Sequence, residues 1–271
     1  MKFTVITPTY NQAGYIKDTI DSVLSQKHKD IEYIIVDNNS DDGTEDIVRE
    51  YMTRDDRIIY IREADKGQAE AINKGFNRAS GDIVCWLNSD DYFFDDNVLK
   101  KVNNHFENNP ETDIVVGDGW YCDKEKKLTV YNNSDRNDKG GLIDRWYYIV
   151  QPSVFWKKTD DRLDEKYHYV FDWKFFAGLF AKSKVIFTHE PYSVYRMYED
   201  NKTGQDNAKR KKEVWLLQKE LNTGRLNVKW CEYVYKRYET AEKKNRPSIK
   251  KRTDFCSRVL FHITNKKICS F

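Results

Sequence analysis

Short apolar runs recur through residues 1–91 and predict buried β-strands. They are rich in β-branched and aromatic residues and are followed by turn-forming residues, as the strands of a buried sheet are. Such runs stand at 3–7 (FTVIT), 31–37 (IEYIIVD), 57–63 (RIIYIRE) and 82–87. The first strand is expected to stop at Pro8, because proline lacks the N–H that a strand ladder requires.

Amphipathic segments separate these runs and predict helices. Apolar residues at helical spacing indicate helices from about Tyr15, from about Thr44 and over 67–79. Ser40 or Asp41 can cap the second of them. Strands that alternate with helices of about ten residues predict an α/β fold with a mostly parallel, doubly wound, Rossmann-like sheet and helices on both faces.

The regular alternation ends after Asp91. The pattern there predicts a helix near 97–108, strands at 113–120, 128–131 and 151–158, an aromatic helix at 168–182 and a strand pair at 184–198. Because no glycine-rich linker interrupts it, we expect residues 1–205 to form one domain. Residues 206–271 are expected to be a helical C-terminal extension, with two helices over 208–242 and a basic tail.

Charge and cysteine usage narrow the function classes. Lysine plus arginine (46) nearly balance aspartate plus glutamate (44), which argues against a nucleic-acid partner. Five cysteines without a CxxC pair predict reduced thiols. Because the chain starts without a leader-type segment and has no apolar run of bilayer length, we expect a cytoplasmic protein, soluble or peripheral on the inner face of the membrane.

The predicted strand ends are polar and rich in turn formers. The first four strands run into TPTYN, DNNSDDGT, EADKG and NSDD. Ligands of doubly wound sheets bind beyond the carboxyl ends of the strands, so these segments predict a cleft. Asp90 and Asp91, at the end of the fourth strand, suit a hard divalent cation such as Mg²⁺ or Mn²⁺. The alternative is that Asp90 caps a turn and Asp91 is solvated.

Six motifs in order resemble the GT-A fold, family 2 glycosyltransferases of bacterial polysaccharide assembly. The resemblance covers residues 2–203 and rests on TPTYNQAGYIKDTIDSVLSQ, YIIVDNNSDDGT, DKGQAEAINKG, GDIVCWLNSDD, QPSVFW and DEKYHYVFDW. It implies metal-dependent transfer of a sugar, with inversion, from a nucleotide diphosphate donor, expected to be a UDP-sugar. It also implies a nucleotide-binding half at 1–91 and an acceptor half at 92–205.

By this resemblance, one group of residues binds the nucleotide and the metal. Asp37 would accept a hydrogen bond from the base, with a turn cap as its alternative, and Lys66 could equally be a surface charge. Asn88 replaces the first aspartate of the family's D-x-D motif and could still contact the ribose. The full implied set is Thr7, Pro8, Thr9, Tyr10, Asp37, Lys66, Asn88 and Asp90 for the nucleotide, and Asp91 with Asp90 for the metal.

The resemblance assigns the general base to Asp172. An inverting displacement needs a carboxylate that takes the proton of the acceptor hydroxyl. Asp172 lies among aromatic residues at the start of a predicted helix, where partial desolvation would raise its pKa. A structural role for Asp172 is the alternative. Asp164 and Glu165 compete for the role of base but fall in a charge-rich loop and look solvated.

Further contacts with donor and acceptor rest on single residues. Tyr198 stands where relatives frequently carry a histidine, which leaves a third metal ligand open, and Arg196 and Lys202 could contact the diphosphate instead. Trp120 is a candidate platform for a sugar face, with ordinary core as its alternative, and Gln151 a candidate partner for a hydroxyl. The acceptor is expected to be a saccharide or lipid-linked.

The basic tail suggests contact with a membrane surface, where a lipid-linked acceptor would lie. Residues 243–271 contain nine lysines or arginines and a single acid, Asp254. Its apolar residues Phe255, Val259, Leu260 and Ile263 lie near one helical face. Basic amphipathic segments are typical of peripheral membrane contact, although a solvated terminal helix fits as well.

Two other function classes remain open from the sequence. A nucleotidyltransferase would need a glycine-rich phosphate loop with a basic residue after the first strand, which TPTYNQAG does not supply. A non-catalytic carbohydrate-binding or membrane scaffold would keep the fold but show no metal-dependent nucleotide binding.

Overall fold

The computed structural model describes residues 1–134, 149–199, 201–202, 207–250 and 252–253. The chain divides into two compact units, Met1–Asn201 and Lys202–Phe271. In the described part of the chain, no helix is long and apolar enough to cross a bilayer.

The first unit is built from a sheet and its flanking helices. The described strands are β1 (Phe3–Thr9), β2 (Ile31–Asp37), β3 (Ile58–Arg62), β4 (Ile83–Trp86), β5 (Tyr92–Phe93), β6 (Ile114–Cys122), β7 (Leu128–Asn132), β8 (Val154–Lys157) and β9 (Val185–Arg196). The described helices are α1 (Ile16–Leu24), α2 (Thr44–Met52), α3 (Gln68–Arg78), α4 (Val98–Asn108) and α5 (Phe171–Phe180). The strand order is β3-β2-β1-β4-β8-β6-β9-β5, with β7 paired to β6 off this path.

The first four strands form the predicted parallel half of the sheet. β1 lies between β2 and β4 and pairs with both in parallel, and β3 adds to β2 in parallel. Every residue of β1 and β2 is buried, which explains their near-continuous apolar sequences. The carboxyl ends of these strands therefore meet at one edge, with Thr9 directly opposite Asp37.

The sequence predicts that β1 stops at Pro8. In the structure the strand continues to Thr9. The pairing of β1 with β4 ends at Ile6, opposite Trp86, whereas its pairing with β2 continues to Thr9. Alternate residues of a parallel strand bond to opposite neighbours. The Ile6 carbonyl accepts a hydrogen bond from the N–H of Leu87, the residue directly after β4. Pro8 faces the same side as Ile6, where β4 has already ended. The missing N–H of Pro8 therefore costs no ladder bond.

The second half of the sheet is mixed. β8 is antiparallel to both β4 and β6, whereas β6 and β9 are parallel. Residues 184–198 form one long strand rather than the expected strand pair, because bulges in its pairing with β6 absorb extra residues around His189. The expected strand at 151–158 begins as a 3₁₀ turn at Gln151–Ser153 and becomes β8 at Val154.

A cluster of stacked aromatic rings fixes α5 on the sheet. Phe176 stacks on Trp86 of β4 at 5.1 Å between ring centroids, and Phe175 stacks on Phe76 of α3 at 5.8 Å. Trp156 of β8 closes the cluster with edge contacts to these rings. Such pairs add about 0.5–1.5 kcal/mol each beyond the area they bury, so they hold the middle of α5 against the sheet.

The second unit contains the two helices that the sequence predicts. They are α6 (Ala208–Glu220) and α7 (Arg225–Lys243). Ala208, Val234 and Tyr238 form a small apolar cluster, against which Trp230 packs. Most of the basic tail, including Phe255, Val259, Leu260 and Ile263, lies outside the described residues.

Candidate active site

Hydrogen bonds join the loops that follow the four parallel strands into one rim. The loop after β1 bonds to the loop after β2, where the Asn11 N–H donates to Oγ of Ser40 at 2.9 Å. That loop bonds to the next, where the Asp65 N–H donates to Oδ1 of Asn38 at 2.8 Å. Gln68, at the start of α3, donates to Oδ1 of Asn88 at 2.8 Å and so reaches the loop after β4. The four polar strand ends thus meet as predicted.

The end of β1 and the loop after it contain two buried side-chain atoms without a protein partner. In the described chain, Oγ1 of Thr9 and Oε1 of Gln12 are buried and accept or donate no hydrogen bond. Unpaired buried polar atoms are rare and often mark a ligand or ordered water. Thr7 is buried against the Tyr33 hydroxyl at 3.1 Å, whereas Tyr10 is 58% exposed and offers a free ring face.

Asp37 is fully buried at the end of β2 and shapes the turn after it. Its Oδ1 accepts hydrogen bonds from the N–H and the hydroxyl of Ser40 at 2.9 and 2.5 Å, and its Oδ2 accepts one from the Tyr60 hydroxyl. Burial and this bond raise the pKa of Tyr60. Ser40 therefore hydrogen-bonds to Asp37 and does not cap α2. Gly43 occupies the N-cap position of α2, with φ 97°. Oδ2 keeps one acceptor position for a ligand.

The DKG segment leads into α3 through a tight turn. The Gly67 N–H donates to Oδ1 of Asp65 at 2.8 Å, and φ of 147° places Gly67 in a region that favours glycine. Lys66 is exposed, and its N–H donates to Oε2 of Glu70 at 3.0 Å. The predicted nucleotide contact of Lys66 stays a prediction.

Asn88 is the centre of a hydrogen-bond network below the rim. Its side-chain amide donates to Oδ2 of Asp91 at 3.0 Å and to Oε1 of Gln151 at 3.3 Å. Gln151 in turn donates to the carbonyl of Trp86 at 2.8 Å and is 6% exposed. Gln151 thus positions Asn88, and its predicted contact with an acceptor hydroxyl stays a prediction. An aspartate at position 88 would place a second negative charge beside Asp91. The Asn88 amide instead donates a hydrogen bond to the Asp91 carboxylate.

Asp91 is fully buried, and both of its carboxylate oxygens already have protein donors. Besides the Asn88 amide on Oδ2, the Arg196 N–H donates to Oδ1 at 3.0 Å. The Thr19 hydroxyl of α1 donates to its carbonyl at 2.7 Å. Burial, and then the charge of Asp90, raise the pKa of Asp91 well above its usual value. Asp91 therefore supports the loop from inside, and its predicted role as a metal ligand together with Asp90 stays a prediction.

Asp90 is half-buried and is the more accessible carboxylate of the pair. Its Oδ2 accepts a hydrogen bond from the Tyr198 hydroxyl at 2.9 Å. In the described chain, no other residue donates to Oδ1. Burial raises the pKa of Asp90. Burial and the charge of Asp90 also raise the pKa of Tyr198, so its hydroxyl stays a donor. Tyr198 therefore contacts Asp90, and its match to a histidine of relatives stays a prediction.

Arg196 is a buried cation that bonds to protein groups, and its predicted contact with the diphosphate stays a prediction. Its side chain is 3% exposed, and its guanidinium pairs with Oδ2 of Asp18 at 2.8 Å. It also donates to the carbonyl of Asp90 at 3.1 Å and lies over the rings of Tyr15 and Tyr92. The guanidinium thus already has protein partners on several sides.

The donor set at this edge fits a hard divalent cation held mainly by the substrate. No group of three or more His, Cys, Asp or Glu side chains that could hold a metal is found among the described residues. Mg²⁺ typically binds through one or two carboxylates and completes its shell with phosphate oxygens and waters. Asp90 supplies such a carboxylate, with an oxygen open to the ion.

Asp172 lies in the first turn of α5 and is partly exposed. A Cβ added at Gly67 would lie 3.8 Å from Nδ1 of His168, so the residues just before α5 reach the rim at the start of α3. Of the competing carboxylates, Asp164 pairs with Lys174 at 2.6 Å. Burial raises the pKa of Asp164, but the hydrogen bonds from Lys174 and Lys166 together outweigh it and leave the pKa lowered, which makes a poor base. Glu165 accepts a hydrogen bond from Asn73 at 2.8 Å.

Among the described interactions, none links Trp120 or Lys202 to this site. Trp120 packs edge-on against Tyr131 at 5.0 Å on the β6–β7 hairpin. Lys202 belongs to the second unit. Both assignments stay predictions. Gln68 is a site residue that the sequence analysis missed, although its place directly after DKG was a usable signal.

The architecture, with acidic loops at the carboxyl ends of a parallel half-sheet, is that of a GT-A glycosyltransferase. The chain belongs to glycosyl transferase family 2, whose model matches residues 4–202. The family and the fold class that the sequence motifs indicate are thereby confirmed.

The chain is similar to several curated relatives over part of their length. It is 29% identical over 173 residues to the glycosyltransferase GlyA of Streptococcus pneumoniae, covering 57% of this chain and 25% of that protein. It is 46% identical over 101 residues to the putative teichuronic acid biosynthesis glycosyltransferase TuaG of Bacillus subtilis, covering 36% of this chain and 40% of TuaG. The chain thus spans well under two thirds of the length of these relatives.

Two solved structures share the fold at low identity. TarS 1–349 of S. aureus, in complex with UDP-GlcNAc, superposes with a TM-score of 0.65 at 17% identity, covering 82% of this chain and 70% of that one. The mannosyltransferase PcManGT of Pyrobaculum calidifontis, in complex with GDP-Man and Mn²⁺, gives 0.64 at 16%, covering 100% and 81%.

Proposed function

We propose that this protein is an inverting, metal-dependent glycosyltransferase that moves a sugar from a nucleotide diphosphate donor, a UDP-sugar in the first instance, to a saccharide or lipid-linked acceptor. The observation that carries the proposal is the half-buried Asp90 on a rim whose neighbouring loop has unpaired buried oxygens at Thr9 and Gln12. The nucleotide sugars bound to TarS and PcManGT support a donor of this class.

The donor is proposed to lie along the rim. Oγ1 of Thr9 and the remaining acceptor position on Asp37 would face the nucleoside, and the exposed ring of Tyr10 would stack on its base. Asp90 would bind Mn²⁺ or Mg²⁺, with the diphosphate and water completing the shell. When bound, the cation neutralises charge that develops on the leaving diphosphate.

The residues of the chain supply the remaining steps. The acceptor hydroxyl attacks the anomeric carbon as the bond to the diphosphate breaks, and Asp172 takes the hydroxyl proton. Asp91, Asn88 and Gln151 hold the loop that presents Asp90, through the network described above. Inversion follows because a single displacement places the new bond on the opposite face of the sugar.

The setting of the reaction is part of the proposal. The name of TuaG supports a role in cell-surface polysaccharide synthesis. Cys85, Cys122 and Cys231 are free and buried, which supports a reducing, cytoplasmic setting. Peripheral membrane contact through 243–271 is proposed from the basic, amphipathic sequence of this tail, and deleting the tail should weaken flotation with anionic liposomes.

Thermal shift against nucleoside diphosphates and nucleotide sugars, with and without Mn²⁺, tests donor binding, because a ligand of the native state raises the melting temperature. Asp90→Asn should abolish the Mn²⁺-dependent shift while the unliganded protein melts as before. Asp91→Asn should instead lower the melting temperature without ligand. Asp172→Asn should keep the shift but lose at least about 10²-fold in transfer rate.

Other outcomes would favour the alternatives. A Mn²⁺-dependent shift with a nucleoside triphosphate and a sugar phosphate, but with no nucleotide sugar, would indicate a nucleotidyltransferase. No shift with any nucleotide would indicate a non-catalytic scaffold. If Asp91→Asn abolished the shift while Asp90→Asn did not, Asp91 and not Asp90 would be the principal ligand of the metal.

A further inference from the structure

A stripe of exposed apolar and aromatic side chains runs along the outer side of α7. Leu226, Trp230 and Tyr233 follow one another at i, i+4 and i+7, so they share one face of the helix. Leu226 is 86% exposed and Tyr233 is 48% exposed. The Trp230 and Tyr233 rings stack at 5.3 Å, and the guanidinium of Arg237 lies 6.0 Å from the Tyr233 ring. We call these four residues the α7 stripe.

The stripe borders the face that α7 packs within its own unit. Cys231, Val234, Tyr238 and Ala241 are the buried residues of the helix, and they lie about a quarter turn away from the stripe. Val234 and Tyr238 pack with Ala208 at the start of α6. Trp230 packs against this cluster, whereas Leu226 and Tyr233 leave exposed apolar surface beside it.

Charges around α7 are sorted by side. Arg225, Lys229, Lys236 and Lys243 flank the stripe on the side away from the buried face. The glutamates of α7 are Glu232, Glu239 and Glu242, and all of them project more than about 120° from the centre of the stripe. Some basic residues pair with these acids at the surface, as Lys236 does with Glu232 at 2.6 Å. The rim of the stripe is basic.

We propose that the α7 stripe is a docking surface for an anionic lipid bilayer. Leucine, tryptophan and tyrosine with flanking lysine and arginine match the interfacial region, where apolar rings enter the headgroup boundary and basic groups meet lipid phosphates. A second copy of the chain fits less well, because a symmetric contact would bring two basic flanks together. The inference uses only described residues of α7 and does not depend on the donor or on the tail.

Flotation of the full-length protein with vesicles tests this surface. Binding to vesicles of phosphatidylcholine plus phosphatidylglycerol is expected, with little binding to phosphatidylcholine alone, and added salt should weaken it. The variant Leu226→Glu/Tyr233→Glu should lose about tenfold or more of its vesicle partitioning, because it places charge where apolar groups enter the interface. A circular dichroism melt checks that the variant folds.

The matched control is Leu128→Glu/Val130→Glu, which makes the same charge change at exposed apolar residues of β7 in the first unit. It should keep vesicle binding. The inference is overturned if the native chain ignores anionic vesicles, if the two double variants lose binding equally, or if the α7 variant binds as well as the native chain. A dimer in solution that the α7 variant dissociates, without vesicle binding, would assign the stripe to a second copy instead.

Discussion

The Tyr198 hydroxyl donates a hydrogen bond to Oδ2 of Asp90, and the Tyr198 ring stacks on Tyr15 at 4.9 Å. This contact joins the segment after β9 to the loop after β4, across 108 residues of sequence. It fixes the orientation of the more accessible of the two adjacent carboxylates. A side chain at position 198 is therefore adjacent to whatever Asp90 binds.

Replacing Tyr198 with histidine should create an additional metal ligand beside Asp90. Imidazole nitrogen is a better ligand for Mn²⁺ than a phenol hydroxyl that stays protonated. We expect Tyr198→His to tighten Mn²⁺ binding, in the presence of a nucleoside diphosphate, by about tenfold. Electron paramagnetic resonance of free Mn²⁺ during a titration measures this affinity without any turnover.

Tyr198→Phe is the control for this substitution, because it removes the hydrogen bond to Asp90 and adds no ligand. It should show no gain in Mn²⁺ affinity. Equal affinities for the histidine and phenylalanine variants would mean that the ion does not bind at Asp90.

Removing the charge of Arg196 should destabilise the first unit. The guanidinium neutralises Asp18 and packs between Tyr15 and Tyr92, so Arg196→Met leaves these partners without a cation. Because breaking a buried pair costs about 3–5 kcal/mol and Asp18 is partly exposed, we expect a loss near the lower figure. Urea unfolding measures the change in free energy of unfolding.

Arg49→Met is a matched control, since Arg49 pairs with Glu45 on the exposed face of α2. Exposed pairs of this spacing contribute about 0.3–0.5 kcal/mol, so this variant should unfold close to the native chain. If both variants lost the same small amount of free energy of unfolding, the contacts of Arg196 with Asp18, Tyr15 and Tyr92 would stabilise the fold no more than an exposed pair does.

The sequence predicts the parallel half of the sheet well, because burial on both faces leaves a local signature. β1 and β2 are continuous apolar runs, and the turn residues after them are polar wherever a strand meets the rim. The same logic places Thr9, Asp37 and Asp90 near one another without coordinates. The local pattern is sufficient to predict these strands, because each strand has its own apolar run followed by polar turn residues.

The partners of the charged residues could not be predicted in this way. Arg196 stands in a polar stretch and looks exposed, but β9 delivers it to Asp18, which is 178 residues away in sequence. Asp90 and Asp91 are adjacent and chemically identical, yet one is half-buried and the other fully buried. The difference depends on donors from Asn88 and from β9, which only the folded chain brings together.

Stability should depend on pH through Glu32, which is buried between β1 and the loop before β4. Its carboxylate accepts hydrogen bonds from the Thr4 hydroxyl at 3.0 Å and from the N–H and hydroxyl of Ser80 at 2.8 and 2.6 Å. Burial alone would raise the pKa of Glu32, but the Ser80 and Thr4 bonds and the charge of Lys2 outweigh it and leave the pKa lowered. The folded state therefore favours the ionised form.

A lowered pKa means that this stabilisation is present above the pKa of the unfolded chain and is lost as pH falls through the folded pKa. Glu32→Gln should thus cost about 1–2 kcal/mol at neutral pH, and the difference from the native chain should shrink in acid. Urea unfolding at neutral pH and below pH 4 measures it. Glu50→Gln on the exposed end of α2 should change little at either pH, and a deficit for Glu32→Gln that stayed constant would contradict the argument.

Two glycines inside helices should respond oppositely to alanine. A Cβ at Gly75 of α3 would lie 2.5 Å from Cγ2 of Ile6 in β1, whereas one at Gly178 of α5 meets nothing within 4 Å. Alanine is favoured over glycine in a helix by about 1 kcal/mol, so Gly178→Ala should raise the free energy of unfolding. Gly75→Ala should lower it by about 1–3 kcal/mol, because the helix must move off the sheet that carries the rim. Paired thermal melts measure both, and a stabilising Gly75→Ala would show that α3 is not packed closely on β1.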